Sequence, residues 1–253
     1  MKLVNSLSHN KKSYIAYITA GHKGLEYTEQ AALALINGGV NILEIGIPFS
    51  DPIADGPVIQ EAMTDSLNRF TNLEPVLRSV KKIKNTTEVP IVIFSYYNPL
   101  LSIGIDKSFS MIAEANADAI LIVDLPIEES KLYIKKCKEY NIEPIFLLSP
   151  STNEERVKKI IKHSNSFLYY VCRNGTTGMR PSLPEDYIDK INRLKAITPQ
   201  PIVTGFGISN KEMALEALKH ADGFVVGSTF VKAISEGATP SELTKLAKKI
   251  DPR

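Results

Sequence analysis

The sequence predicts an α/β protein of the (β/α)8 TIM-barrel class, a single domain over residues 1–253. Two observations carry the prediction: short apolar runs recur eight times, and they alternate with longer stretches of helical period, the pattern of βα units on a parallel sheet. A third weighs against the main alternative, a doubly wound open sheet: no GxGxxG follows the first run, and no linker-like or low-complexity stretch divides the chain.

The apolar runs lie at residues 15–19 (YIAYI), 42–46 (ILEIG), 90–95 (PIVIFS), 119–124 (AILIVD), 143–148 (EPIFLL), 167–172 (FLYYVC), 201–205 (PIVTG) and 222–226 (DGFVV). Helical stretches are predicted at 27–37, 75–84, 128–139, 153–163, 184–194, 211–219 and 241–250. The segment before the first run has room for a short extra helix that would cap the barrel bottom. In a barrel, active residues belong at the C-terminal ends of strands and in the βα loops, because those loops surround the open mouth.

Composition narrows the function. A hydrophobic fraction of 43% and a charged fraction of 23% are those of a soluble globular chain. Thirty Lys plus Arg against 28 Asp plus Glu leaves +2, too balanced for a protein that binds a phosphate backbone or an anionic membrane. Lys81, Lys82 and Lys84, and Lys158, Lys159 and Lys162, fall in amphipathic patterns and read as solvated outer faces. Cys137 and Cys172 lie in no CxxC spacing, and His9, His22, His163 and His220 are scattered, so neither a disulfide framework nor a metal site is expected. With no secretory signal and no long apolar span, the expected location is the cytoplasm.

The most informative stretch is LEIGIPFSDPIADGPVIQ, residues 43–60. Glu44 sits in an apolar run, where a carboxylate without a partner costs several kcal/mol. A satisfied structural acid is one reading; a catalytic acid is the other, favoured by the C-terminal end of a barrel strand, where apolar surroundings raise its pKa toward the range useful for proton transfer. Asp51 and Asp55 follow in a loop stiffened by Pro48, Pro52 and Pro57. Spacing alone leaves both turn-forming and catalytic roles open for them.

Glycine then appears at strand ends: Gly205, Phe206 and Gly207 after the seventh run, Gly227 and Ser228 after the eighth. In a barrel these loops, with a short helix N-terminus, bind phosphate through backbone N–H groups. RNGTTGMRPS at 173–182 reads either as a plain connecting loop or as a lid, and its place at the same mouth favours the lid.

These segments, together with YITAG at 17–21, SYYNP at 95–99, DLP at 124–126, RNGTTG at 173–178, GFGIS at 205–209 and VVGSTFVK at 225–232, resemble the tryptophan synthase alpha chain family over nearly the whole sequence. The resemblance implies retro-aldol cleavage of indole-3-glycerol phosphate to indole and glyceraldehyde 3-phosphate. Glu44 would be the acid/base residue and Asp55 the carboxylate facing the indole nitrogen. Tyr169 would lie near the acid, Tyr17 and Tyr96 would line the pocket, Arg173 and Thr177 would belong to the lid, and Gly178, Gly207, Gly227 and Ser228 would cradle the phosphate. It further implies a beta-subunit partner met by Asp51, Pro52 and the lid, in an assembly of two alpha and two beta chains, with indole passed on for tryptophan synthesis. No cofactor is implied for this chain; PLP would belong to the beta subunit.

The sequence departs from the family pattern at His22 and Lys23, where many relatives carry an acid and a proline, at Asp65, where they carry an arginine, and at Thr176, where they carry an apolar residue. Neither predicted catalytic carboxylate is touched. A stand-alone lyase releasing free indole, or a non-catalytic allosteric subunit, are the competing expectations.

Overall fold

The computed structural model describes Leu3 and residues 12–69, 73–172, 183–205 and 207–253. The predicted N-terminal helix falls mostly on residues outside that set; Leu3 is helical, and its side chain joins the barrel interior.

Nine parallel strands form one sheet: β1 (Ser13–Thr19), β2 (Ile42–Gly46), β3 (Ile91–Ser95), β4 (Ala119–Ile122), β5 (Glu143–Ile145), β6 (Leu147–Leu148), β7 (Leu168–Val171), β8 (Ile202–Gly205) and β9 (Gly223–Val226). The order β5-β4-β3-β2-β1-β9-β8-β7-β6 begins and ends on the fifth predicted run, which breaks at Phe146 into two short strands. Its first half pairs with β4 and its second with β7, so this run joins the two ends of the sheet and the barrel nearly closes. Eight predicted runs are thus nine strands, the extra one the product of a local interruption.

The helices are α1 (Leu25–Asn37), α2 (Pro57–Leu67), α3 (Leu73–Lys84), α4 (Tyr97–Ile103), α5 (Ile105–Glu114), a 3-10 turn at Ile127–Glu129, α6 (Lys131–Glu139), α7 (Glu154–Ile161), α8 (Tyr187–Ile197), α9 (Lys211–His220), α10 (Ser228–Ser235) and α11 (Pro240–Ile250). Of these α2, α4, α5 and α10 fall outside the helical stretches expected from sequence. Proline and glycine punctuate all four, at Gly56–Pro57, Pro99, Gly104 and Gly227, and hide their helical period.

Strand alternation sorts the core into two layers. Tyr14, Ala16, Ile18, Leu43, Ile45, Ile91, Ile93, Leu168 and Tyr170 face the helices. Ile15, Tyr17, Ile42, Val92, Phe94, Tyr169, Val203 and Val225 face the barrel axis, where Ile59, Ala62 and Met63 of α2 and Val231 of α10 join them. Helices α2 and α10 pack on each other and on β1. Buried on both faces, the strands read as unbroken apolar runs, as parallel sheets require.

One charged residue corrects the surface reading. Lys81 and Lys82 are exposed, but the Lys84 side chain is only 6% exposed, and its ammonium donates to Asp118 at 2.8 Å and to the Val89 carbonyl at 3.1 Å. The same Asp118 carboxylate accepts the Ile91 N–H at the start of β3. At the end of α3 the lysine stem has reached the sheet, where this acid is a better partner than water.

Candidate active site

The alternation that buries Ile42 also turns Glu44 to the barrel axis, because residues i and i+2 of a strand share a face. Glu44 pairs in register with Tyr17 of β1 and Val92 of β3 and is fully buried. Among the described residues neither of its carboxyl oxygens has a hydrogen-bond partner. Burial pushes its pKa up to about 8, so near neutral pH it is mostly a protonated acid.

Asp55 reaches the same interior from the loop after β2 and is 1% exposed. Three contacts fix it: its N–H donates to the Pro52 carbonyl at 3.0 Å, its carbonyl accepts the Gln60 side-chain amide at 2.8 Å, and its Oδ2 accepts the Tyr96 hydroxyl at 2.7 Å. Tyr96 Oη in turn accepts the Ala54 N–H at 3.0 Å, and its ring lies 5.1 Å from that of Phe49. A turn-forming role for Asp55 is therefore not its whole role: the side chain points inward onto a phenol.

Tyr17 and Tyr169 complete the group. Burial first, and then the charges of Asp55 and Glu44, hold both phenols well above the ordinary tyrosine range, which places the four side chains in one electrostatic environment. Two glycines make room for them. A Cβ on Gly46 would stand 2.2 Å from Tyr17 Oη, and one on Gly205 would stand 2.6 Å from Tyr169 Oη. Beside Ala54 opens a cavity of about 490 Å3, walled in part by Val123, Leu125, Phe146, Leu147 and Val171.

Two of the three predicted phosphate glycines, Gly207 and Gly227, lie at the C-terminal ends of the last two strands. Gly207 follows β8 with φ 102, and Gly227 caps α10, whose first residue is Ser228. Gly227 also packs toward the backbone end of Tyr17, since a Cβ there would lie 3.4 Å from that of Tyr17. Arg173, Thr177 and Gly178 lie outside the described residues, as does Phe206. Asp51 is exposed and accepts from Ser50 at 2.5 Å, Pro52 is half-buried with its carbonyl on the Asp55 N–H, and Ile53 is 77% exposed.

Of the residues singled out in the sequence, the structure brings Glu44, Asp55, Tyr17, Tyr96 and Tyr169 together in the barrel interior. Sequence reasoning missed Gln60, the clamp on the Asp55 backbone, whose only signal was its place in the 43–60 stretch. Among the described residues no group of three or more His, Cys, Asp or Glu could hold a metal ion, and no helix is long and apolar enough to cross a membrane.

The family model of the tryptophan synthase alpha chain matches residues 3–251. The chain belongs to the tryptophan synthase alpha chain family. A tryptophan synthase alpha chain of Coxiella burnetii (strain CbuK_Q154) is 53% identical over 244 residues, 96% of this chain and 95% of that one. Among solved structures, tryptophan synthase subunit alpha from Legionella pneumophila superposes with a TM-score of 0.87 at 33% identity, covering 98% of this chain and 94% of that one. A chain of the tryptophan synthase a2b2 complex from Pyrococcus furiosus superposes with a TM-score of 0.87 at 37% identity, covering 95% and 97%. As a tryptophan synthase alpha chain the protein is a lyase, and its barrel is that of its structural relatives.

Proposed function

We propose that the interior site cleaves the bond between indole C3 and the glycerol phosphate chain of indole-3-glycerol phosphate, with Glu44 moving the protons and Asp55 holding the developing charge. The observation that carries this reading is a fully buried Glu44 whose pKa is raised to about 8, together with a buried, inward-facing Asp55 whose charge acts on the same two phenols, Tyr17 and Tyr169. Glu44 as an acid gives its proton to C3, which leaves positive charge on the ring nitrogen. Asp55 stabilises that charge. The side-chain hydroxyl next to the scissile bond then returns its proton to Glu44 as it becomes the aldehyde, and the bonding electrons pass back into the ring. Indole and glyceraldehyde 3-phosphate balance the substrate without added water, and one carboxyl with a pKa near neutrality serves both transfers.

In this reading Tyr17 and Tyr169 wall the reacting centre, and the indole ring takes the recess beside Ala54 on its apolar side, against Val123, Leu125, Phe146 and Val171. The phosphate lies on Gly207, Gly227 and Ser228 at the N-terminus of α10, joined by Gly178 of the lid, where helix N–H groups favour an anion. Arg173 and Thr177 close over it. No metal or organic cofactor is needed, since carboxyls supply every proton; PLP belongs to the beta subunit. The partner is a tryptophan synthase beta subunit, two alpha and two beta chains together, docked on Asp51, Pro52 and the lid so that apolar indole is handed on rather than released. The Pyrococcus relative assembled as an a2b2 complex supports that arrangement.

The test is indole release from indole-3-glycerol phosphate by the purified chain, with and without beta subunit. Slow cleavage that rises at least tenfold on adding the beta chain, about 1.4 kcal/mol of barrier, is expected. Fast cleavage indifferent to the beta chain would mark a stand-alone lyase, and no cleavage under either condition would reduce the chain to a non-catalytic subunit.

A further inference from the structure

The turn after β1 touches both ends of the site. It runs through Ala20, Gly21, His22, Lys23 and Gly24, with φ of 80 at Gly21, 60 at Lys23 and 102 at Gly24. A left-handed lysine is uncommon and persists where its surroundings hold it. Here the Lys23 N–H donates to Asp65 Oδ2 at 2.9 Å, while Asp65 Oδ1 accepts from Arg69 at 3.2 Å. One residue on, the Ser66 hydroxyl donates to the Ala20 carbonyl at 2.5 Å. Asp65 and Ser66 both belong to α2, which emerges directly from the Asp55 loop.

The other end of the turn meets α10. His22 is 4% exposed, and its Nε2 lies 3.3 Å from Ser235 Oγ. The Ser235 hydroxyl also reaches the Val231 carbonyl at 3.1 Å, one turn back along the same helix. Ser235 ends α10, the helix that begins at Ser228. The Ala20 N–H also donates to the Gly46 carbonyl at the end of the Glu44 strand, at 2.9 Å. Three elements of the site are therefore tied to five residues of turn.

We propose that this turn is a strap that sets the spacing between the carboxylate end of the site and its phosphate end, with Asp65 and His22 as positioning residues. The proposal rests on the reading of Gly227 and Ser228 as the phosphate end. Neither residue touches substrate; each acts through the helix it joins. Both stand where this sequence departs from the family pattern. The side chain on α2 is the anion here, and it grips a backbone N–H of the turn rather than a side chain.

The test uses the full chain and two readouts, steady-state cleavage of indole-3-glycerol phosphate with beta subunit present, and calorimetric binding of glycerol 3-phosphate. Asp65→Ala and Ser235→Ala are each expected to raise KM and weaken glycerol 3-phosphate binding at least threefold. Asp65→Asn keeps an oxygen for the Lys23 N–H and restores both values to within twofold of the unmodified chain, although it loses the ion pair with Arg69. A strap that only stabilises the fold predicts lower melting points with KM and glycerol 3-phosphate affinity unchanged, and that result overturns the proposal. If Asp65→Ala does not fold, Ser235→Ala decides alone. Should the unmodified chain bind glycerol 3-phosphate without cleaving the indole substrate, the functional reading fails while the binding readout still judges the strap; no glycerol 3-phosphate binding overturns both.

Discussion

The Tyr96 hydroxyl donates to Asp55 Oδ2 at 2.7 Å, and the Ala54 N–H donates to that same hydroxyl at 3.0 Å. A residue expected only to line the pocket thus aims the carboxylate assigned to the ring nitrogen. The backbone donor polarises the phenol and strengthens its bond to the carboxylate.

Removing that hydroxyl tests the assignment. Hydrogen bonds to charged groups contribute about 1.5–3 kcal/mol, so Tyr96→Phe is expected to lower kcat roughly tenfold to a hundredfold, with the ring still packed on Phe49. On an Asp55→Asn background the same change should cost little, because the charge it aims is already gone. Additive losses in the double variant would separate Tyr96 from Asp55.

Glu44→Gln should abolish cleavage while making the protein more stable. The folded pKa of Glu44, about 8, lies above the ordinary value of 4.5, so the folded chain binds more protons than the unfolded chain between those values. Stability from this group is fully present below about pH 4.5 and is lost as pH rises through about 8. The glutamine variant removes that loss, and its urea midpoint should exceed that of the unmodified chain by more at pH 8 than at pH 5. An equal difference at both values would contradict a buried, unpartnered acid.

Gly46→Ala probes the packing that admits Tyr17. The new methyl would stand 2.2 Å from Tyr17 Oη and 2.6 Å from Cζ, so the phenol must leave its place beside Glu44. Overpacking of this kind costs typically 1–3 kcal/mol. The expected result is a lower denaturant midpoint with an unchanged m-value, together with a fall in kcat; wild-type values for both would show that the interior has slack.

His22 gives a pH dependence of the opposite sense. Burial lowers its pKa first, with Lys23 and Arg69 adding to the effect and Asp65 opposing it. The unfolded chain therefore takes up the proton first, and stability falls as pH drops below the ordinary histidine value of 6.5. His22→Asn should flatten the melting-temperature profile between pH 7 and 5. A profile as steep as that of the unmodified chain would assign the acid sensitivity to other groups.

The sequence by itself determined the parallel barrel and the stretch that carries Glu44 and Asp55. Strands buried on both faces must be written as apolar runs, and an acid inside such a run stands out. Glycine at the ends of β8 and β9 was legible too, and the structure shows what it makes room for: a Cβ on Gly205 would meet the Tyr169 ring, and one on Gly227 would come up against Tyr17. What only the tertiary structure decided is which groups meet across the fold. Tyr96 reaches Asp55 over 41 positions of chain, and Ser235 reaches His22 over 213. The break of the fifth run at Phe146, the inward turn of Lys84 and the strap from Ala20 to Gly24 also depend on neighbours distant in sequence. Local propensity and period record which face of an element is buried; they hold no information about the partner buried against it.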